Sequence, residues 1–473
     1  MNVIIIMLDS LRPDHLGCHG NTWINTPNID NFSRECLIFD RAYSEGLPTL
    51  PVRTALFTGK YTLMRRGWQR LEPSDKPIAE VLWDAEYDTA LISDTYHMHK
   101  PSMAYERGFN YVKWIRGQES DPYIINENIK VDLSKWSAKN YLTDFDRIVF
   151  TQYLKNTHFW TSEEDHFVAQ VVKEGIKWLK EQVDNARKDR LFLWLDSFDP
   201  HEPWDPPLEY YEKYAVDYDG LPIIHPSTGG KRGGFIENFT LDEVRHIRAQ
   251  YTGEVSLVDK WIGIFFENLK NLGLWENSLI ILLSDHGEPL GEHGIIRKVR
   301  PWPYEELSRI VLMIKPPKEL GVKPRHVKAF VQTVDIAPTI MDMLEIKGER
   351  SRWTVNLESE GISLYPLIMK EDTEVRRQAI SGHYGRSWSI HSEEYSLYIW
   401  PGQMTPYTFG TNYIKEQEKT EPELYKLNRS YIPPQPDRWE MGDQPKVRNI
   451  YEEEPEITKQ LELNLRRVLT SIL

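Results

Sequence analysis

The sequence predicts an α/β fold, a sandwich in which a large, mostly parallel central sheet is flanked by helices. Short apolar runs typical of strands buried on both faces recur along the chain. Segments with helical periodicity separate these runs. The runs end in polar or acidic residues, and open parallel sheets bind ligands beyond the carboxyl ends of their strands. The candidate chemistry is therefore expected at that edge of the sheet.

Five apolar runs predict the strands of this sheet. They cover residues 3–8, 89–93, 191–195, 278–283 and 310–314. The first run consists of Val, three Ile, Met and Leu. A continuous apolar run of this kind is expected where helices cover both faces of a sheet.

Two of the intervening helices have clear sequence signals. Residues 162–165 open a helix whose apolar face consists of Phe167, Val168, Val171, Val172, Ile176 and Leu179. Thr240 and Glu243 have the spacing of a capping box, and Gly273 can end the long helix that they begin. The alternation of strands and helices favours a mostly parallel sheet.

The pattern changes near residue 376, where short alternating strands replace the strand–helix alternation. A last helix carries one apolar stripe: Ile457, Leu461, Leu465, Val468 and Ile472. A chain of 473 residues is also long for one compact domain. We therefore predict a catalytic α/β domain over 1–375 and a small α+β subdomain over 376–473, with short antiparallel strands and a final helix.

Composition and charge limit the possible partners. Apolar residues make up 40% of the chain and charged residues 27%, which is enough for a substantial core. The formal net charge is −14. This excess of acid argues against nucleic acid or an anionic membrane as a partner, because both need a basic surface. A small anionic ester remains a possible substrate, since a local basic pocket can lie inside an acidic protein.

The cysteine content and the first residues suggest a compartment. Cys18 and Cys36 are too few for a disulfide framework in a chain of this size, so we expect a reducing environment. The apolar run at 3–8 lacks a basic leader and a small-residue cleavage site. No run approaches the roughly 18 apolar residues of a membrane span. We expect a cytoplasmic protein, and homo-oligomer formation stays open.

The segment 47–59 is the first candidate for a reaction centre. Pro51 is tolerated in the first turn of a helix, which places the Thr49 hydroxyl at a helix N-terminus among unsatisfied backbone donors. Such an end attracts anions, and Arg53 adds a cation one turn later. The hydroxyl could therefore be a nucleophile for an anionic ester. An N-cap threonine beside a surface arginine explains the same segment.

Candidate chemistry lies at four strand ends or adjoining turns: Asp9, Thr49, Asp199 with His201, and Asp285 with His286. Oxygen donors and an imidazole on rigid strand ends suit a divalent metal such as Mn, Zn, Fe, Mg or Ca. A metal in contact with the Thr49 oxygen would lower the pKa of this hydroxyl and polarise a substrate oxygen. Each acidic residue alone could equally be a cap or a surface carboxylate.

Several ordered motifs carry a family resemblance. Residues 8–14 (LDSLRPD) resemble an opening metal motif, and residues 26–30 (TPNID) a segment that follows it. Residues 49–53 (TLPVR), followed by Thr58-Gly59, resemble the nucleophile signature C/S-x-P-x-R with T-G, and residues 284–298 resemble a later metal segment. The chain therefore resembles the sulfatase branch of the alkaline phosphatase superfamily, over nearly its whole length. This resemblance implies the alkaline-phosphatase/sulfatase fold.

The departures from the family pattern concern the chemistry. Sulfatases need a cysteine or serine that is oxidised to formylglycine, whereas the branched Cβ of Thr49 cannot give that aldehyde. Ser10 replaces the usual second aspartate, and Ser93-Asp94 replaces a glycine–lysine pair. His286 stands where many calcium-dependent sulfatases carry asparagine. No formylglycine is expected, and the chain is similar to phosphodiesterase and phosphonate monoester hydrolase members that use an unmodified hydroxyl.

The resemblance implies a metal site and a nucleophile. Asp9, Asp285 and His286 would bind one divalent metal ion, with the Thr49 oxygen as a further ligand. Thr49 would attack phosphorus in line and form a phosphoryl-enzyme that water later hydrolyses. Arg53 would orient Thr49 and help to ionise it.

Three further residues receive roles from the same resemblance. His201 and Lys298 would contact the non-bridging oxygens or the leaving group, and His201 could supply a proton. His97, which fits the second family signature, is assigned the same role, although a buried structural histidine fits nearly as well. Asp94 would repel a dianionic phosphomonoester, which favours a monoanionic substrate.

We therefore predict a metal-dependent hydrolase of phosphodiesters or phosphonate monoesters with Thr49 as nucleophile. A sulfuric ester hydrolase that works without formylglycine is the first alternative. A degenerate member of the family that binds an anion without catalysis is the second. The residues leave the natural substrate and the metal open.

Overall fold

The computed structural model describes residues 1–136, 144–226, 234–298, 301–346, 357–401, 421–440 and 448–473. Two sheets organise these residues, one of eight strands and one of four. The large sheet is mostly parallel and lies between layers of helices. The small sheet is antiparallel and belongs to the C-terminal part of the chain. The predicted fold class is confirmed.

The strands of the large sheet are β1 (Asn2–Leu8), β2 (Leu37–Tyr43), β3 (Asp88–Ser93), β4 (Tyr111–Trp114), β5 (Leu191–Ser197), β6 (Ser278–Leu283), β7 (Leu312–Lys315) and β8 (Arg325–Gln332). Their spatial order is β4-β3-β5-β1-β6-β7-β2-β8. Neighbouring strands are parallel except that β7 runs antiparallel to both β6 and β2. The central position of β1 explains why its sequence is apolar from residue 3 to residue 8.

The helices are α1 (Pro27–Ser33), α2 (Thr49–Thr58), α3 (Ile78–Asp84), α4 (Tyr96–His99), α5 (Asp144–Asn156), α6 (Phe167–Asp184), α7 (Leu208–Tyr211), α8 (Leu241–Asn271), α9 (Glu305–Ser308), α10 (Ile336–Met343), α11 (Tyr365–Met369) and α12 (Pro455–Ser471). Among the residues that the structure describes, none of these helices combines the length and the apolar composition that a bilayer span requires.

Side chains of β1 alternate between two hydrophobic cores. Ile4 and Ile6 belong to the core that α6 and α8 cover. Val3 and Ile5 belong to the core on the opposite face, under α2, α3 and α10. Because successive side chains of a strand point to opposite faces, only a continuous apolar run can fill both cores.

The long helix α8 begins and ends as its sequence predicts. Glu243 N–H donates to Thr240 Oγ1 at 3.2 Å, and Thr240 N–H donates to Glu243 Oε2 at 2.8 Å. This reciprocal capping box satisfies two backbone donors that the helix leaves open. Gly273 lies just after the helix with a φ of 71°, a backbone conformation that glycine adopts without strain.

Three strands of the large sheet have no clear apolar run in the sequence. β4 and β8 are the two edge strands, and each has charged or exposed positions because only one neighbour pairs with it. The third such strand, β2, carries Asp40 and Arg41 in its middle, where its pairing with β8 is irregular.

The strand β7 does have an apolar run in the sequence, at 310–314. Its pairing with the neighbouring strands begins only at Leu312.

The C-terminal sheet consists of β9 (Ala379–His383), β10 (Ser387–His391), β11 (Tyr395–Ile399) and β12 (Glu423–Lys426). Helix α12 packs on it through Leu461, Leu465 and Leu469. The sheet is joined to the approach of α2, since Leu47 N–H donates to the Gly382 carbonyl at 2.8 Å. The domain boundary near residue 375 stays a prediction.

Replacing Ile5 by Ala should lower the free energy of unfolding by about 2–5 kcal/mol, because the change leaves a cavity in a fully buried central strand. The midpoint of urea unfolding measures the effect. Ile125→Ala is the matched control, since Ile125 is 76% exposed and its truncation should change stability by less than about 0.5 kcal/mol. Equal losses in the two variants would contradict the central position of β1.

Candidate active site and metal centre

The acidic residues of the site stand at the carboxyl ends of neighbouring strands. Asp9 directly follows β1, and Asp285 follows β6 with one residue between. Asp196, near the end of β5, is paired in register with Met7 of β1 and Ser93 of β3. Parallel pairing therefore brings three carboxylates to one edge of the sheet. All three are completely buried.

The His286 ring points its Nε2 atom at three oxygens. Thr49 Oγ1 lies 3.4 Å from this nitrogen, Asp285 Oδ2 3.5 Å and Asp9 Oδ1 3.6 Å. The other ring nitrogen, Nδ1, donates to the Gly287 carbonyl at 2.8 Å. Because Nδ1 carries the proton, Nε2 has the lone pair that a metal needs. Burial lowers the pKa of His286 to about 4, so this side chain is neutral at pH 7.

These residues fit a divalent cation. One ligand atom each from Asp9, Asp285 and His286 lie within 4.8 Å of one another. Asp9 Oδ2 is buried and makes no hydrogen bond within the described part of the chain. Burial and the neighbouring Asp285 raise the pKa of Asp9 despite the opposing effect of Arg53, which indicates that a further cation would stabilise the ionised carboxylate. Two carboxylates, one imidazole and a hydroxyl form a donor set that Mn, Zn or Fe accept.

Thr49 is the first residue of α2 and is buried, as the sequence predicts. Pro48 precedes it in an extended conformation, and the helix N–H groups of the first turn have no intrahelical acceptor. The hydroxyl thus lies between a helix N-terminus and the residues that could bind a metal. The interpretation as a plain N-cap with a surface arginine is wrong, because Arg53 is fully buried.

The Arg53 guanidinium is shared by three carboxylates. Its Nη1 donates to Asp285 Oδ2 at 2.7 Å and lies 3.1 Å from Asp9 Oδ2. Its Nε and Nη2 form a two-pronged contact with Asp196, at 3.0 and 2.7 Å. Nη1 also reaches the Thr49 carbonyl at 3.3 Å. Burial alone would lower the pKa of Arg53, but the three carboxylates outweigh it and raise it.

Asp196 is a site residue for which the sequence pattern predicts no role. Besides Arg53, it accepts hydrogen bonds from Thr95 Oγ1 at 2.7 Å and from Trp194 Nε1 at 3.0 Å. The sequence signal was an acid at the end of a buried run, the same signal that singled out Asp9. Its contact with Arg53 joins residues 143 positions apart, which local pattern cannot show.

Ser10 supports Asp9 in place of a second metal carboxylate. Its hydroxyl donates to Asp9 Oδ1 at 3.0 Å, and its N–H donates to Asp285 Oδ1 at 3.1 Å. The backbone φ of Ser10 is 64°, a conformation that is costly for a residue with a side chain. Strain of this kind persists where surrounding contacts enforce it, and it is frequent at functional sites.

Lys298 lies in a second group of charges next to this centre. Its Nζ donates to Glu202 Oε2 at 2.9 Å and to Glu288 Oε2 at 3.1 Å. Arg297 also binds Glu202. Burial would lower the pKa of Lys298, but Glu202 and Glu288 raise it, so the ammonium stays charged. The cation that the sequence assigned to the substrate is therefore already held by two carboxylates.

His201 contacts the same group. Its Nδ1 donates to the Glu202 carbonyl at 2.6 Å, and its ring stacks on Phe198 with a centroid separation of 3.9 Å. Burial lowers the pKa of His201 to about 3. A neutral imidazole with the lone pair on Nε2 accepts a hydrogen bond, which does not favour the predicted role of proton donor in the substrate-free protein.

His97 is paired with a residue that the sequence did not single out. Its Nε2 lies 2.7 Å from Glu119 Oε2, while its Nδ1 is buried without a hydrogen bond in the described part of the chain. Glu119 has a φ of 45°. Atoms that could coordinate a metal also lie within 4.8 Å of one another in Glu119, His201 and Glu202. Since Lys298 and Arg297 already neutralise Glu202, we assign no second metal to this group.

Four acids interact electrostatically near the ends of β3 and β5. Asp94, Asp199 and Glu254 are buried and Asp205 is half-buried. Gln118 Nε2 donates to Asp199 at 3.1 Å and contacts Asp94 at 3.4 Å. Burial raises the pKa of Asp199 to about 6, and burial together with Asp199 and Asp205 raises that of Glu254. Asp94, which was expected to face the substrate, instead accepts from the Phe198 N–H at 2.7 Å.

Replacing Asp196 by Asn should lower the free energy of unfolding by about 3–5 kcal/mol, because it leaves part of the buried Arg53 charge unpaired. Urea unfolding measures this loss. Asp184→Asn, an exposed acid on α6, is the control and should be neutral. A D196N variant as stable as the wild type would show that Arg53 does not depend on Asp196.

Replacing Glu254 by Gln should stabilise the protein at pH 8.5 but not at pH 5. A carboxyl whose pKa is raised on folding stabilises the fold below its unfolded pKa, and this stability is lost as pH rises through the folded pKa. The glutamine variant lacks that loss, so we expect a gain of roughly 1–3 kcal/mol at high pH. Thermal unfolding at both pH values measures it, with Glu267→Gln, exposed on the same helix, as the control. A gain of equal size at both pH values would contradict the assignment.

Comparison with known proteins supplies the family. The sulfatase family model matches residues 1–346. An arylsulfatase of Clostridium perfringens is 26% identical over 429 residues, covering 81% of this chain and 81% of its own. The multifunctional alkaline phosphatase superfamily protein PehA of Trinickia caryophylli is 27% identical over 414 residues, covering 78% of this chain and 77% of its own.

Solved structures agree on the fold. The phosphonate monoester hydrolase of Agrobacterium radiobacter superposes with a TM-score of 0.69 at 19% identity, over 100% of this chain and 96% of its own. The corresponding enzyme of Silicibacter pomeroyi gives the same TM-score, identity and coverage. At this identity the structural likeness shows the fold, whereas the family model covers most of the chain. The chain belongs to the sulfatase family, within the alkaline phosphatase superfamily.

Proposed function

We propose that this sulfatase-family hydrolase cleaves phosphodiesters or phosphonate monoesters, with the unmodified hydroxyl of Thr49 as nucleophile. The observation that carries the proposal is the position of Thr49 Oγ1, 3.4 Å from His286 Nε2 at the start of α2. The hydroxyl therefore lies among the residues that fit a metal. A threonine there supports a direct attack, because its branched Cβ cannot become an aldehyde.

The chain's own residues account for the first half of the reaction. A divalent cation held by Asp9, Asp285 and His286 would supply Lewis-acid chemistry, lowering the pKa of the Thr49 hydroxyl and drawing charge from a substrate oxygen. The Thr49 hydroxyl loses its proton to solvent as Oγ bonds to phosphorus, and the bond from phosphorus to the leaving oxygen breaks with its electron pair. The leaving oxygen then takes up a proton to become the free alcohol.

The second half releases the enzyme. Water attacks the phosphorus of the phosphorylated Thr49, and the bond to Thr49 Oγ breaks. His201 Nε2, which carries a lone pair, accepts a hydrogen bond from that water and so orients it, and the proton of the water passes to the departing Thr49 Oγ, which restores the hydroxyl. Arg53 keeps Thr49 in place through its carbonyl and fixes the carboxylates on either side.

The balance of charge supports a monoanionic substrate. Arg53 faces three carboxylates, and Lys298 faces two. Both cations are therefore already neutralised in part, and they cannot fully compensate the charge of a dianionic group. A phosphodiester or phosphonate monoester carries one negative charge at the reacting centre and meets less repulsion than a phosphomonoester.

A sulfuric ester hydrolase without formylglycine is the second candidate. The observation that favours it is the similarity to an arylsulfatase over most of the chain. A sulfate monoester is also monoanionic, so the charge argument does not separate it from a phosphodiester. The two candidates differ in the central atom that Thr49 would attack.

Kinetics with a matched set of aryl esters separate these candidates. For the metal-loaded protein we expect kcat/KM to be highest for bis(4-nitrophenyl) phosphate or 4-nitrophenyl phenylphosphonate, and lower for 4-nitrophenyl phosphate and 4-nitrophenyl sulfate. Thr49→Ala should lower kcat by at least about 10³-fold, whereas Thr49→Ser should keep part of the activity. Metal content by elemental analysis accompanies each variant.

Three outcomes would contradict the proposal. Turnover of the sulfate above that of the diester would favour the second candidate. Unchanged activity in Thr49→Ala would remove Thr49 as nucleophile. A protein that binds no metal and turns over none of the esters would be the degenerate, anion-binding member of the family.

A further inference from the structure

A cavity separate from the reaction centre lies between the catalytic part and the C-terminal sheet. Its volume is about 230 Å³. The residues that matter for its chemistry are Arg12, Asp14 and Arg309 from the catalytic part and Tyr398, Lys426 and Tyr431 from the C-terminal part. None of the residues assigned to the reaction centre or the metal lines it. The proposed hydrolysis therefore gives this cavity no role.

The carboxylates of the cavity wall already have donors. Arg12 binds Asp14 through Nε at 2.9 Å and Nη2 at 2.6 Å, and binds Glu292 at 2.8 Å. Glu306 lies 2.7 Å from His293 Nδ1. Glu305, the fourth acid of the wall, takes a hydrogen bond of 2.5 Å from the Tyr43 hydroxyl. These acids are therefore not available to hold a cationic ligand.

Two cations of the wall have no such partner. Arg309 Nε donates to the Asp40 carbonyl at 3.1 Å. Within the described residues, no carboxylate oxygen lies within 4.0 Å of the charged nitrogens of Arg309 or Lys426. A guanidinium and an ammonium that line one cavity without an ion-pair partner among the described residues favour an anionic ligand.

The remaining wall is aromatic and fixed. The rings of Tyr398 and Tyr425 are 5.9 Å apart, and each packs on Tyr304, at 5.1 and 6.1 Å. Ligand pockets typically combine such aromatic surface with a few placed polar groups. The volume lies below the usual range for drug-sized ligands, which points to a small molecule.

We propose that this cavity binds a small organic anion. Arg309 and Lys426 take its acid group, and the tyrosines contact a compact hydroxylated or ring-shaped body. The neutralised pair of Arg12 and Asp14 also lines the cavity. Binding here needs neither Thr49 nor hydrolysis, so the assignment stands apart from the proposed reaction.

Calorimetric titration of the full, metal-loaded chain with D-glucuronate tests the site, because this carboxylate carries no phosphorus or sulfur ester for the reaction centre. We expect one binding event with D-glucuronate and none with neutral D-glucose. Lys426→Gln and Arg309→Gln should each weaken binding by about tenfold or more, the effect of one charge-assisted hydrogen bond. Lys318→Gln is the matched control, an exposed lysine that pairs with Glu276 outside the cavity.

Each result of these measurements either supports or overturns the proposed site. A crystal of the complex with the carboxylate at Arg309 and Lys426 would support the site, as would loss of binding in the two cavity variants with unchanged thermal unfolding. Equal affinity for D-glucose, or full affinity in Lys426→Gln and Arg309→Gln, would overturn it. Inorganic phosphate binding as tightly as D-glucuronate would overturn the assignment of an organic ligand.

Discussion

The buried guanidinium of Arg53 is the interaction on which the site depends. It joins the first turn of α2 to the ends of β1, β5 and β6 through Asp9, Asp196 and Asp285. A buried charge is tolerated only when its partners are complete, and here four chain segments must meet before any of them is satisfied. The same contact fixes the distance between the Thr49 hydroxyl and the carboxylates that could bind a metal. The ends of three central strands and the start of α2 are therefore joined through one side chain.

Much of the fold could be predicted because β1, β5 and β6 are buried on both faces. Such strands need continuous apolar runs, and these are visible without knowledge of their neighbours. The edge strands β4 and β8 could not be found this way, since their side chains are partly exposed. The antiparallel direction of β7 was also not predictable, because a strand of four buried residues has the same pattern in either direction.

The residues of the candidate site also fall into two groups, those that a local sequence pattern indicates and those that it does not. Asp9, Asp285 and His286 could be predicted because each follows a buried strand, and Thr49 and Arg53 because they begin a helix in a recognisable motif. Asp196 and Glu119 could not, since their partners Arg53 and His97 lie far away in the sequence or across a loop. The charge state of Lys298 and His201 also depends on Glu202, whose side chain became relevant only through folding.

The C-terminal sheet has a physical connection to Thr49, the proposed nucleophile. Leu47, two residues before Thr49, is tied to Gly382 of β9, and the hydroxyl of Ser381 donates to the Ser44 carbonyl. The segment that leads into α2 is thus held as an added edge of the small sheet. The same sheet provides Tyr398 and Lys426 to the cavity that lies apart from the reaction centre. The small sheet therefore holds the segment that leads to Thr49 and at the same time lines the cavity.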